Sequence, residues 1–157
     1  MYDYFAAIAS WPISRAINES SWIFAVIQAL HLVMLAFLAG ALLVVDLRLL
    51  GKGFSQQPIA RVAREARPWL VASIIGMVLT GVPQFISLAT KEFESPYFWA
   101  KMYFLLAALI FTFTIRARVA QAPEGRFGPG IAKAVAIISI ALWTGVAIEG
   151  RLIGFFS

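Results

Sequence analysis

Four long apolar runs, separated by charged or proline- and glycine-rich stretches, organise this chain of 157 residues. The first, Trp22 to Val45, reads WIFAVIQALHLVMLAFLAGALLVV, with Gln28 and His31 as its only strongly polar side chains. The second covers Trp69–Ala89 and is entered through Arg67-Pro68, where proline suits the first helical turn. The third runs from about Phe98 to Ile115 after the start signal Glu94-Ser95-Pro96, and the fourth from Ile131 towards Phe155 after the breaker Gly128-Pro129-Gly130. Each is about 18–25 residues, enough at 1.5 Å per residue to cross a hydrocarbon core of roughly 30 Å. The expectation is an all-α fold: one integral membrane domain over residues 1–157, a four-helix bundle with spans at about 22–49, 68–89, 97–118 and 131–155. The segment Tyr2–Ile17 carries Tyr2, Tyr4, Phe5 and Trp11, with Pro12 as a break. It reads as a short interfacial helix with its aromatics at headgroup level. Gly51–Ala66 is too polar to span, and the IARVAREAR stretch after Pro58 predicts a separate short amphipathic helix there.

Polar residues recur within the runs at helical spacing. Gln28, His31, Leu35, Ala39, Leu42 and Asp46 share one face of the first span; Ser73, Met77, Thr80, Gln84 and Ser87 share one of the second. Lys101, Leu105, Ala108 and Thr112 form a stripe on the third, and Ser139, Leu142, Gly145 or Val146, and Glu149 on the fourth. Polar side chains in a membrane favour the bundle interior, so the four stripes are expected to face one another. Counted from the helix ends, Lys101 and Gln84 lie roughly 6–8 Å deep, Glu149 roughly 9 Å and His31 roughly 13 Å. The helices alternate in direction, yet all four residues fall in the same half of the bilayer. One polar pocket opening to that side is expected.

Charge sets the orientation. Arg48, Lys52, Arg61, Arg64 and Arg67 surround the first connection, and Arg116, Arg118, Arg126 and Lys133 the third. The second sets Lys91 against Glu92 and Glu94. By the positive-inside rule both basic connections face the cytoplasm and both termini the outside of a bacterial inner membrane. Residues that are 61% hydrophobic exceed the roughly half of ordinary soluble domains. The net charge of +5 therefore reads as a topology signal and not as a nucleic-acid-binding face. The absence of cysteine excludes disulfides, thiolate metal sites and cysteine nucleophiles. A single histidine excludes a multi-histidine zinc site within one chain, and there is no glycine-rich phosphate loop. The N-terminus lacks a basic stretch and cleavage site, with Asp3 where positive charge belongs. Asp46 and Arg48, with the basic connection, read as a cytoplasmic charge cluster acting as an anchor.

An ionisable group within a span is a functional-site hypothesis by default. His31 therefore stands as axial ligand or proton carrier, against the plainer role of a neutral imidazole bonded to a neighbouring helix. A lone histidine in an apolar bundle suits haem b: one imidazole for the iron, apolar walls for the macrocycle, cations near water for the propionates. Lys101 and Arg151 would meet the propionates, with Gln28, Gln84 and Glu149 completing the pocket. Lys101 also has a plainer role as a snorkelling lysine, and Glu149 as its structural partner. Met34, three residues after His31, leaves a His–Met Cu(I) pair as a lesser alternative; Met34, Met77 and Met102 otherwise read as core packing. Trp22, Trp69, Trp99 and Trp143 read as core or belt aromatics.

The segments ALHLVMLAFLAGALLVVDLRLLG, LTGVPQF, SPYFWAKM and LWTGVAIEGRLIGFF resemble a bacterial four-span membrane family of unknown function, over about Trp22 to Phe156. More distantly, the chain is similar to copper-resistance D-type membrane proteins and to haem-containing membrane protoporphyrinogen oxidases. Those groups place a histidine in an early span and a lysine at the start of a later one. The resemblance implies a haem ligand at His31 and a functional lysine at Lys101. Relatives of this kind often carry a second intramembrane histidine; here Phe111-Thr112-Phe113-Thr114 stands in that region. The reading is a b-type haem protein of the inner membrane, a redox component with an electron-transfer partner or a haem sensor, with homo-oligomers compatible. The alternatives are transport of protons or a small anionic solute along Gln28, His31, Gln84, Lys101 and Glu149, and a cofactor-free structural subunit. A membrane oxidoreductase activity stays open.

Overall fold

The apolar runs fold as four long helices whose outward faces carry Ile, Leu, Val and Phe and whose inward faces carry the polar stripes. A computed structural model describes residues 2–53 and 56–156. Two short helices, α1 (Tyr2–Ala9) and α2 (Pro12–Glu19), precede the bundle and are separated at Pro12, as expected. The side chains of Tyr2 and Phe5 lie outside the described residues, whereas Tyr4 and Trp11 are exposed. The spans are α3 (Ser21–Leu49), α4 (Ile59–Ser87), α6 (Pro96–Phe111) continued by a π-turn (Thr112–Arg116) and α7 (Ala117–Gln121), and α8 (Pro129–Phe156). A short α5 (Ala89–Glu94) links α4 to α6. The four candidate spans are 25 to 29 residues long.

Two boundaries differ from expectation. The amphipathic stretch after Pro58 is no separate helix: it is the first part of α4, which continues through Pro68 and Pro83. A proline removes one N–H donor and strains one turn. Here apolar packing on both sides holds the helix through it: Val62 and Leu70 are both buried. In the third span the α-helix passes through a five-residue π-turn before it ends. Such turns insert a residue and shift the register of everything after them.

Around the bundle the order is α4–α3–α8–α6. α3 packs along α4, α6 along α8, and α3 meets α8 across the centre. Alpha-carbon hydrogens in place of side chains allow these approaches. A Cβ on Gly76 would lie 2.5 Å from Met34 Sδ, and one on Gly145 would lie 2.8 Å from the Phe104 ring. α4 and α6 are not packed along each other; they meet at one end through stacked Phe85 and Phe98, 5.5 Å between centroids. At the opposite end α7 touches α4, where Val45, Leu49, Val62, Ala120, Val135 and Ala136 form the larger apolar core. That end carries the arginine-rich connections and is called the basic end below. At the other end α2 is clamped to α4: Asn18 Nδ2 donates to the Ser87 carbonyl at 3.1 Å. Many large apolar side chains, among them Trp22, Leu79 and Tyr103, are exposed on the bundle's outer surface, as lipid-facing positions are.

Candidate functional site

His31 sits on α3 where Thr80 and Gly81 of α4 oppose it. The close approach depends on Gly81, where an added Cβ would stand 3.2 Å from His31 Cε1. The imidazole Nδ1 is 2.8 Å from Thr80 Oγ1, and that hydroxyl is 2.7 Å from the Gly76 carbonyl one turn back. A threonine hydroxyl has one proton. Given to the Gly76 carbonyl, as helical threonines commonly do, it leaves Oγ1 to accept from His31 Nδ1–H. Nε2 is then the ring nitrogen left without this partner, since a bond on one nitrogen sets the role of the other. Thr80 is held in turn by its own helix, and Gln84 Nε2 donates to the Thr80 carbonyl at 3.2 Å.

Lys101, in the first turns of α6, is close enough to act electrostatically on both His31 and Glu92. Glu92 belongs to α5, outside the spans, and burial pushes its carboxyl above the ordinary range while the Lys101 charge pulls the other way. Against α8, Lys101 lies over Gly150, where a Cβ would meet its Nζ at 3.8 Å. Beside that glycine, Glu149 Oε2 is buried and has no hydrogen-bond partner. His31, Thr80, Lys101 and Glu92 thus form one neighbourhood, which Glu149 and Gly150 join from α8.

Other expected site residues behave differently. Gln28 is exposed and stands outside this neighbourhood, although it is one turn from His31. Gln84 spends its amide on its own helix. Arg151 is exposed. Met34 packs its thioether onto Gly76 and so serves the α3–α4 contact instead of forming a ligand pair with His31. Glu149 does not bond Lys101; the carboxylate facing that lysine is Glu92. Among the described residues no cluster of three or more histidine, aspartate or glutamate side chains is placed to hold a metal ion.

A second polar node lies towards the basic end, and the anchor reading of Asp46 is corrected by it. Asp46 is 1% exposed. Its Oδ1 accepts from Arg116 Nε at 2.7 Å and its Oδ2 from Ser139 Oγ at 2.7 Å. Arg116 Nη2 also donates to the Leu42 carbonyl at 2.9 Å. One turn nearer the centre, Trp143 Nε1 donates to Thr112 Oγ1 at 3.0 Å, at the first residue of the π-turn. Asp46, Thr112 and Ser139 lay on the inward stripes and were legible there. Arg116 was not, because a basic residue next to a basic connection carries the same signal whether it faces water or the core. Arg48, grouped with Asp46 in the anchor reading, instead donates from Nε to the Gln57 carbonyl at 2.7 Å.

These features define a four-span helical membrane protein with two internal polar nodes, one around His31 and one around Asp46. Residues 18–156 match DUF6644, a family of unknown function, and the chain belongs to that family. Comparison with curated proteins and with solved structures finds no match. The family match covers the uncharacterised group and does not extend to copper-resistance D-type proteins or protoporphyrinogen oxidases.

Proposed function

We propose that this protein binds a b-type haem through His31 and acts as a redox component of the bacterial inner membrane, with the basic end in the cytoplasm. The observation that carries the reading is the His31–Thr80 hydrogen bond. Iron-ligating histidines need a neutral imidazole with one nitrogen tied to a partner, and Nδ1 bonded to Thr80 leaves Nε2 for a metal. His31 also lies within an otherwise apolar stretch of α3, which suits a macrocycle. Lys101, nearer the helix end than His31, supplies a cation for a propionate. The haem, when bound, would supply one-electron chemistry. This chain's residues would orient the imidazole, exclude water and balance charge.

The experiment is the visible absorption spectrum of the detergent-purified protein, oxidised and then dithionite-reduced, with a pyridine haemochrome assay. Near-stoichiometric haem in the wild type and its loss in His31→Ala, with the helical circular dichroism retained, is the expected result. A colourless protein after haem supplementation during expression, or full haem in His31→Ala, would overturn it.

A second reading is proton or small-anion transport, favoured by the unpartnered Glu149 Oε2. It requires flux in proteoliposomes that Glu149→Gln and His31→Ala both abolish.

A further inference from the structure

Towards the basic end, a cavity of about 280 Å³ opens between α3 and α4 on one side and the π-turn and α7 on the other. That is far more than the roughly 10–15 Å³ of such space that one water needs, and it leaves room for a polar headgroup. Its polar lining is Arg67, Arg116, Arg118, Thr112 and Gln121, and no carboxylate is among the described residues that line it. Arg116 is already balanced by Asp46. Arg67 and Arg118 are exposed, and neither has a carboxylate within ion-pair distance among the described residues. Elsewhere at this end, Arg48 lies 3.9 Å from Glu124 and Arg61 pairs with Glu65 at 2.9 Å. The cavity therefore presents two uncompensated guanidinium groups over an apolar floor of alanines and Leu70.

We propose that this cavity is a binding site for an acidic phospholipid, its phosphate held by Arg67 and Arg118 and its acyl chains lying along the outer surface of α4 and α6. Guanidinium forks match phosphate oxygens, and basic pockets between membrane helices are where anionic headgroups bind. A zwitterionic lipid carries its own cation and gains little from the pair. The site is independent of the haem reading, lying near Asp46 and away from His31.

The test is native mass spectrometry of the detergent-purified full chain titrated with phosphatidylglycerol or with phosphatidylcholine of the same acyl chains. Wild type should prefer phosphatidylglycerol by about 30-fold, at about 1 kcal/mol per arginine. Arg67→Gln/Arg118→Gln should lose that preference. Arg64→Gln/Arg126→Gln, which removes the same charge from the same end without touching the cavity, should keep it. Thermal melts establish that each variant is folded, and Arg118→Gln alone serves if the double variant is not. Equal retention of the two lipids by wild type, or equal loss in both double variants, overturns the proposal. Displacement of the lipid by low-millimolar inorganic phosphate also overturns it and assigns the cavity to a soluble anion.

Discussion

At the residue scale, the most consequential side chains are those that bury charge. Asp46 and Arg116 are both buried and lie 2.7 Å apart, with Ser139 and the Leu42 carbonyl completing their bonds. Removing one partner of such a pair leaves the other charge uncompensated, at a cost of about 3–5 kcal/mol, whereas removing both costs far less. Asp46→Leu should therefore strongly lower the unfolding free energy in detergent, Arg116→Leu should do likewise, and the double variant should recover most of the loss. A double-mutant cycle reads this directly; additive losses would show that the pair is not coupled. Such pairing was half legible beforehand, since the inward stripes held Asp46 and Ser139. Arg116 escaped because a guanidinium near a helix end satisfies the positive-inside pattern from any face.

Helices meet through particular residues, and at the element scale glycine decides how closely. The α6–α8 contact seats the Phe104 ring against Gly145, and the α3–α4 contact seats Met34 against Gly76. Met34 has a flexible thioether that can turn aside, but a phenyl ring cannot bend. Gly145→Leu should accordingly push α6 from α8 and cost about 1–3 kcal/mol by overpacking, more than Gly76→Ala. Thermal melts of the two variants in one detergent make the comparison; an equal or reversed ranking would show that the Phe104 seat is not tight. The π-turn works at the same scale. A one-residue shift rotates everything beyond it by about 100° about the helix axis.

For the whole molecule the asymmetry between its ends matters most. One end holds the arginine-lined cavity and the buried ion pair, the other His31, Lys101, Glu92 and Glu149. If the basic end faces the cytoplasm, single cysteines placed in this cysteine-free chain should label asymmetrically. Lys91→Cys, between α4 and α6, should react with an impermeant maleimide on intact spheroplasts. Lys52→Cys should react only after permeabilisation, and the reverse pattern would invert the orientation of both sites. α4 and the third span touch at both ends, through the stacked Phe85 and Phe98 rings at one and through α7 at the other.

The amino-acid sequence alone settles that the chain is helical and has four membrane-length helices, with limits close to those expected except at α4, which begins at Ile59. Apolar runs of that length leave the backbone no other way to satisfy its hydrogen bonds in lipid. It also determined the inward faces, because helical periodicity is local: Ala108, Thr112, Ser139 and Val146 are buried where the stripes placed them. Packing between helices was needed to show which polar groups meet, and it is not local. It paired His31 with Thr80 and Asp46 with Arg116, brought Lys101 near Glu92, and left Gln28 exposed. Those pairings depend on the order of helices around the bundle and on glycines that set their separation. They are relations between segments far apart in the chain, and no period within one helix encodes them.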